Sequence, residues 1–405
     1  MRELAIKEIG PISEVQFPLN RYNVFIGKQS SGKSTVAKII SHCLWLEKEV
    51  ATHPYNSVAE YETTFGKNLE EFHNMKGYFR KESCVKYDSD IISIAFEGGE
   101  CHIARKKNLY HRNKILYIPA ERNIVVYSDS IGGANNLKSF STDWQIARDI
   151  FDAKHKQGIL NLGIHYYQEK ENGKVVNRIV SSSRKNPYSL NLNQGSSGLQ
   201  SVIPITVTID FFTGTFYDPQ VAEKLRKANE NYDAKKLIDY VVTQRMKEVN
   251  ARLDITIIQG VLDNLSELLS TRQTHFIIEE PEINIFPETQ VELVNYLFGC
   301  SNRNKRKHCV TLTTHSPYTL SAINNLLLAG LLSGNKELTK SVNKITGGVS
   351  INPSELSVYA IQDGRNVSLQ DQQTGLISQN YLDSVSDIIA GQFNELYKLY
   401  LAQIR

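Results

Sequence analysis

Alternating apolar and polar positions between residues 3 and 26, with a turn at Gly10, predict a hairpin that leads into a third strand. Apolar positions at helical spacing predict mostly helix between residues 36 and 85. Two short apolar runs, at 91–96 and 115–118, predict further strands. The first third of the chain is therefore expected to combine a strand-rich opening with helices and a return to strand.

The rest of the chain alternates between strand and helix patterns. An Asn-Gly pair at 172–173 predicts a hairpin, because both residues tolerate the positive φ values of a type I′ turn. A charged helical pattern covers residues 218–269, and residues 274–317 show the succession strand, helix, strand. The tail predicts a hairpin around 363–364 and a closing helix from about residue 380. The apolar stripe of that helix consists of Ile388, Ile389, Phe393, Leu396 and Tyr400.

One of the predicted strands runs directly into a glycine-bounded loop. Apolar residues 24–26 precede the spacing G-x-x-x-x-G-K-S, and a helical pattern follows. The backbone N–H groups of such a loop, at the N-terminus of a helix, suit the phosphates of a nucleotide. A glycine turn with a solvated lysine is the alternative. The predicted nucleotide-binding residues are Gly27, Lys28, Gln29, Ser30, Ser31, Gly32, Lys33, Ser34 and Thr35.

Composition limits the classes of partner that the chain can have. The 46 Lys and Arg against 43 Asp and Glu give a formal charge of +3, so a contact with nucleic acid must be a local patch. The five cysteines form no C-x-x-C pair, which is typical of reduced thiols in a cytosolic protein. The sequence shows no signal-peptide pattern and no uncharged apolar run of about 18 residues. We therefore expect a cytoplasmic protein with no membrane partner.

A second apolar strand pattern ends in acidic residues. Phe276 to Ile278 lead into Glu279 and Glu280. P-loop enzymes place the carboxylates that serve Mg²⁺ and the attacking water at such a strand end. Because side chains alternate along a strand, the two glutamates should face different ways. We assign Glu279 to the shell of the metal and Glu280 to the hydrolytic water; an acidic turn after a core strand is the alternative.

Two further segments could contact an anion. A serine-rich loop at 193–201 precedes an apolar segment, and small residues at a helix start expose N–H groups and hydroxyls. A flexible loop without a ligand is the alternative for this segment. The apolar run at 310–314 leads into His315, whose imidazole is either structural or catalytic.

Taken in chain order, these four segments resemble the ATPase head of the ABC type, as in SMC and RecF proteins. Residues 27–35 look like its Walker A loop, 196–200 like the ABC signature, 276–280 like Walker B, and 314–315 like the segment of the switch histidine. The runs 117–123, 279–287 and 313–317 resemble stand-alone ATPases of bacterial anti-phage systems. These include the overcoming-lysogenization-defect nucleases and the ATPase subunits of the Septu and PARIS systems.

The resemblance covers about residues 1–330 and implies an α/β P-loop NTPase fold of ABC/SMC head type. It implies a mixed sheet with helical or strand insertions at about 45–115 and 210–270. Residues 331–405 are then a small α+β tail that packs on the head or docks a partner.

The resemblance also implies roles for individual residues. ATP and Mg²⁺ are the implied cofactors: Lys33 would contact the β- and γ-phosphates and Ser34 the metal, with Glu279 in its shell. Ser197 and Gly198 would contact the γ-phosphate bound by an opposite subunit, and His315 would sense that phosphate. The chain should then form a homodimer or a higher homo-oligomer with ATP at the interface. The implied catalytic residues are Lys33, Glu280 and His315, and the signature residues are Ser196, Ser197, Gly198 and Gln200.

The sequence departs from the family pattern in three places. Glu279 stands where the wider family usually has aspartate, and Leu199 replaces the second glycine of the signature. No glutamine fits the Q-loop, and Glu121-Arg122 are candidates for that neighbourhood. The segment after His315 lacks the Asp-x-Asp pair of a TOPRIM nuclease, so the resemblance implies a separate effector polypeptide, plausibly a nuclease.

Two other functions stay open on the sequence. A RecF-like repair ATPase would bind DNA through basic runs at 105–114 and 303–308, each of which is otherwise a solvated loop. A transporter ATPase subunit would carry a fuller Leu-Ser-Gly-Gly-Gln signature and a membrane-coupling element, and neither is evident.

Overall fold

The computed structural model describes residues 2–52, 58–106, 112–129, 132–221, 271–378 and 381–404. The predicted opening is confirmed: β1 (Arg2–Ile9) and β2 (Ile12–Leu19) form an antiparallel hairpin, and β3 (Tyr22–Ile26) follows. Helix α1 (Lys33–Thr52) begins at the end of the glycine-bounded loop.

The helical prediction for residues 36–85 is correct for α1 and α2 (Val58–His73) but wrong at its end. Strand β4 (Phe79–Asp88) begins there because Ser83, Val85 and Tyr87 alternate toward the core while β4 pairs with β1. The predicted strands are confirmed as β5 (Ile92–Glu97) and β7 (Asn113–Ile118), and β6 (Glu100–Arg105) had no prediction of its own.

The second half also follows the predicted succession within the described residues. The predicted hairpins and the closing helix are confirmed, whereas the charged helical prediction at 218–269 lies almost entirely outside these residues. The helices are α3 (Asn135–Arg148), α4 (Ser197–Thr213), α5 (Pro287–Cys300), α6 (Pro317–Leu332), α7 (Thr339–Thr346) and α8 (Tyr381–Ile404). The strands are β8 (Gln157–Gly158), β9 (Ile164–Glu171), β10 (Lys174–Ser181), β11 (Ser189–Asn191), β12 (Gln273–Glu279), β13 (Cys309–Thr314), β14 (Leu356–Gln362) and β15 (Arg365–Ser368).

The main sheet joins an antiparallel part to a parallel part. Its strand order among the described residues is β6-β5-β4-β1-β2-β15-β14-β3-β13-β12-β7, and β14, β3, β13, β12 and β7 run parallel to one another. The strands β8 to β11 form a separate small sheet. The predicted α/β fold with a mixed sheet is therefore confirmed.

The parallel strands are buried on both faces, which explains their continuous apolar runs. Val24, Ile118 and Ile278 belong to one core cluster, whereas Phe25, Tyr117 and Ile277 belong to the cluster on the other face. Parallel strands end at one common edge of a sheet, and open α/β sheets bind ligands at that edge. The segments that follow β3, β7, β12 and β13 therefore meet there.

The predicted boundary near residue 330 stays a prediction. Strands β14 and β15 lie beyond it, and both belong to the main sheet. The apolar stripe on α8 is exposed; the exposed fraction of Phe393, for example, is 65%. Among the described helices, none is long and apolar enough to cross a membrane.

Candidate nucleotide-binding site

The glycine-bounded loop between β3 and α1 has the backbone conformation of an anion-binding turn. Ser30 has φ = 60° and Gly32 has φ = 107°. Side chains rarely adopt the φ of Gly32, so this position favours glycine, and a Cβ atom there would also displace Cδ1 of the buried Ile12. Lys28, Gln29 and Ser30 are exposed, and Thr35 is buried in the first turn of α1.

The polar atoms of the loop fit a phosphate. Lys33 is 4% exposed, and its Nζ donates to the carbonyl oxygens of Gly27 (2.8 Å) and Lys28 (3.0 Å). Burial lowers the pKa of Lys33, whereas Glu280, Glu282 and Glu279 raise it. Among the described residues, Oγ of Ser31 is buried without a hydrogen-bond partner. A phosphate oxygen would give the buried hydroxyl of Ser31 a hydrogen-bond partner. It would also give the buried ammonium of Lys33, which otherwise donates only to loop carbonyls, a charged acceptor.

Glu279 ends β12 beside the first turn of α1. It is 5% exposed and accepts a hydrogen bond from the hydroxyl of Tyr117 on the neighbouring strand β7. Burial raises the pKa of Glu279, whereas Tyr117 and Ser34 lower it. The predicted metal ligands Ser34 and Glu279 therefore lie near each other. A hydroxyl and a carboxylate at the phosphate loop are oxygen donors of the kind that Mg²⁺ binds together with substrate phosphates.

Glu280 follows β12 in an unusual backbone conformation. Its φ is 41°, a left-handed value that costs a non-glycine residue about 1–3 kcal/mol and marks many functional sites. The backbone N–H of Glu280 donates to the carbonyl of Thr313 on β13 (2.9 Å). Glu280 is half-buried, whereas Glu279 is buried, so the two side chains differ in their exposure to solvent.

His315 and Glu280 form an ion pair across the ends of β12 and β13. Nδ1 of His315 lies 3.6 Å from Oε1 of Glu280. The pKa of Glu280 is lowered mainly by His315, and the pKa of His315 is raised mainly by Glu280. Both shifts favour an ionised carboxylate beside an imidazolium.

Glu282 is a third carboxylate of this cluster, for which the sequence suggested no role. Its Oε1 accepts from Oγ1 of Thr314 and from the backbone N–H of His315, both at 2.8 Å. Nδ1 of His315 lies 3.4 Å from the same oxygen, whereas Oε2 is buried without a hydrogen-bond partner among the described residues. Glu282 therefore fixes the segment that carries His315.

The signature turn lies at the start of α4. The side chain of Ser196 caps the helix by accepting from the N–H of Leu199, and Ser197 is exposed. A Cβ atom at Gly198 would lie 2.8 Å from the carbonyl oxygen of Asn284, so the turn packs against the loop that follows β12. Gln200 is buried, and its amide donates to the carbonyls of Asn193 and Gly195.

The structure thus brings Lys33, Ser34, Glu279, Glu280 and His315 to one edge of the sheet. The hydroxyl of Ser197 remains exposed on the surface, while Gln200 stabilises the loop that presents it. Tyr117 and Arg122 contact the acidic strand end. The sequence indicated Tyr117 only as a member of the run 117–123, and Arg122 also as a candidate for the Q-loop neighbourhood.

The two basic runs are partly engaged inside the chain. Arg303 pairs with Asp210 (2.6 Å), and the guanidinium of Arg306 lies 4.1 Å from the ring centre of Tyr217. In the first run, Lys114 pairs with Asp143 (2.6 Å), and residues 107–111 lie outside the described part of the chain.

No protein-family model matches the sequence, and no curated protein matches it. Solved structures that it resembles include the Smc head bound to the C-winged helix domain of ScpA, with 11% identity, 92% of this chain and 98% of that chain covered, and a TM-score of 0.40. A dimeric bacterial ABC transporter cassette has 9% identity, coverages of 91% and 99%, and a TM-score of 0.29. The recombination mediator protein RecF has 9% identity, coverages of 91% and 97%, and a TM-score of 0.30.

Proposed function

We propose that this chain binds ATP with Mg²⁺ at the loop 27–35 and hydrolyses it to ADP and phosphate. The observation that carries the proposal is the cluster of Lys33, Glu280 and His315, with the hydroxyl of Ser31 on the loop of Lys33 buried and without a partner in the described part of the chain. The cluster combines a phosphate-binding turn, a cation and a carboxylate, which are groups that phosphoryl transfer to water uses, and it places an imidazole beside that carboxylate.

The proposed chemistry divides among these residues. Lys33 and the loop N–H groups hold the β- and γ-phosphates, and Ser34 with Glu279 holds the metal, which neutralises charge on the phosphates. The carboxylate of Glu280 orients the attacking water and accepts its proton. His315 holds Glu280 in its ionised form and faces the γ-phosphate.

We further propose that ATP lies between two copies of the chain. The exposed Ser197 packs with the loop after β12 through Gly198, so its hydroxyl is available to a second molecule. A two-fold pair would place Ser197 of each copy at the γ-phosphate held by the other, and two sites would form by symmetry. ATP would then join the copies and hydrolysis would release them.

The biological setting is a narrower part of the proposal. The likeness of the runs 117–123, 279–287 and 313–317 to anti-phage ATPases supports a cytoplasmic defence protein that controls a separate effector, plausibly a nuclease. Among the described residues, no cluster of His, Cys, Asp or Glu could hold a metal on its own. Three of the four cations in the run 303–308 already have partners inside the chain, so no observation favours the RecF-like alternative.

Replacing the exposed Ser197 by arginine is expected to lower ATP turnover at least about tenfold while ATP still binds. The large cation blocks contact with the second copy but leaves the loop 27–35 of its own chain intact. Turnover, binding of a non-hydrolysable ATP analogue and analogue-dependent dimerisation are measured together. Ser183→Arg, at another exposed serine, is the matched control. Wild-type turnover in Ser197→Arg would remove the signature role from this residue.

A further inference from the structure

Arg122 is a completely buried cation between the signature helix and the acidic strand end. Its exposed fraction is 0%. Nη1 donates to the carbonyl of Glu279 (3.0 Å), and Nη2 donates to the carbonyls of Glu280 (3.0 Å) and Pro281 (3.1 Å). On the other side, Nε donates to the carbonyl of Ser201 in α4 (3.3 Å). One planar guanidinium therefore bridges two segments that are about 80 residues apart in sequence.

The contacts of Arg122 with residues 279–281 hold the strained turn of Glu280. Glu280 has the left-handed φ of 41°, and such a conformation persists only where the surroundings fix it. Thr313 fixes the N–H of Glu280, and Arg122 fixes the carbonyl on its other side. The position of the Glu280 side chain therefore depends on where Arg122 lies.

The contact with α4 is at a weakened point of that helix. Pro204 lies inside α4 and has no N–H for the carbonyl of Gln200, so the helical ladder is interrupted in this turn. Arg122 donates to the next carbonyl, that of Ser201. Ser201 follows the exposed Ser197 by one helical turn, so a shift of the signature turn reaches Arg122 directly.

We propose, on the basis of the ATPase function proposed above, that Arg122 is a positioning residue that couples α4 of each chain to the turn carrying Glu280 of that chain. Because Ser197 contacts the nucleotide of the opposite copy, Arg122 links the two sites of the dimer. Engagement of α4 at one site places Glu280 correctly at the other. The two-state element that this coupling requires is the Glu280 turn.

The test compares Arg122→Lys and Arg122→Gln with Arg148→Lys and Arg148→Gln. Arg148 is a matched control, because it is a buried arginine (4% exposed) of α3 that pairs with the side chain of Asp129 (2.7 Å). We expect the Arg122 variants to bind a non-hydrolysable ATP analogue within about threefold of wild type and to dimerise with it. Their kcat should fall at least about tenfold with KM within about threefold, because neither side chain reaches both α4 and the Glu280 turn. The Arg148 variants should keep kcat within about threefold, even where their melting temperature falls equally.

The double variant Arg122→Lys/Ser197→Arg separates coupling from mere structural support. If Arg122 transmits the engagement of α4, its replacement lowers turnover less than about threefold once Ser197→Arg has prevented that engagement. If the two substitutions lower the turnover of the double variant by the product of their separate effects, Arg122 gives structural support alone, and the proposal is overturned. Near-wild-type kcat in the single Arg122 variants would also overturn the proposal. Loss of cooperative melting in both Arg122 variants, while the Arg148 variants still fold, would overturn it as well. Absence of ATP turnover in the wild-type protein would instead remove the ATPase function, and this proposal with it.

Discussion

Replacing Glu280 by glutamine lowers ATP turnover about 10²- to 10⁴-fold, the usual contribution of a positioned general base, while ATP still binds. The amide keeps the size and a hydrogen-bonding oxygen of the carboxylate but cannot take the proton of the attacking water. It also removes the negative charge that pairs with His315 at 3.6 Å. Because hydrolysis is what would separate the copies, the variant should accumulate as an ATP-bound dimer.

Turnover and the mass in solution are measured on the same samples of Glu280→Gln, with and without Mg²⁺ and ATP. Glu288→Gln is the matched control, because Glu288 is an exposed glutamate in the first turn of α5 and lies on the same segment. Its turnover should stay near that of wild type. Unchanged turnover in Glu280→Gln would show that another group activates the water.

Replacing Lys33 by alanine is expected to reduce ATP affinity by more than about tenfold, equivalent to about 1.4 kcal/mol. The substitution removes a buried ammonium that lies at the loop carbonyls of Gly27 and Lys28. Without it, the phosphates meet the loop N–H groups but no buried cation, and turnover falls with binding.

Isothermal titration with a non-hydrolysable ATP analogue measures this loss directly. Lys67→Ala is the control, since Lys67 is an exposed lysine of α2 whose pair with Glu71 lies on the surface. A loss of affinity smaller than about tenfold in Lys33→Ala would contradict the assignment of Lys33 to the phosphates.

Local sequence patterns were sufficient for much of the fold. The spacing of Gly27, Gly32 and Lys33 identifies the phosphate loop, because only a glycine accommodates the positive φ and the contact with Ile12 at position 32. The apolar runs before Glu279 and His315 predicted buried strands, which the structure confirms, and it shows that they pair in parallel. Features of this kind depend on residues that are close together in the sequence, so the sequence pattern alone indicates them.

Other features depend on tertiary contacts that a single sequence does not show. The alternation in β4 was not recognised within a longer helical pattern, although pairing with β1 decides its conformation. Tyr117 contacts Glu279 from a neighbouring strand, and Arg122 contacts carbonyls of two remote segments. Contacts of this kind depend on which strands are neighbours in the sheet. The sequence therefore showed the run 117–123 but not the contacts that its members make.

The sharing of one ATP by two copies is tested most directly by mixing two inactive variants. Lys33→Ala keeps a signature turn but binds ATP poorly, and Ser197→Arg binds ATP but has no usable signature turn. Their mixed dimer contains one complete site, made from the loop of one copy and the signature turn of the other. Because neither variant alone supplies both parts, a non-hydrolysable ATP analogue should join the two variants in a mixed dimer, while each variant alone stays monomeric. No mixed dimer at any mixing ratio, with both variants folded and Ser197→Arg still binding the analogue, would contradict the account.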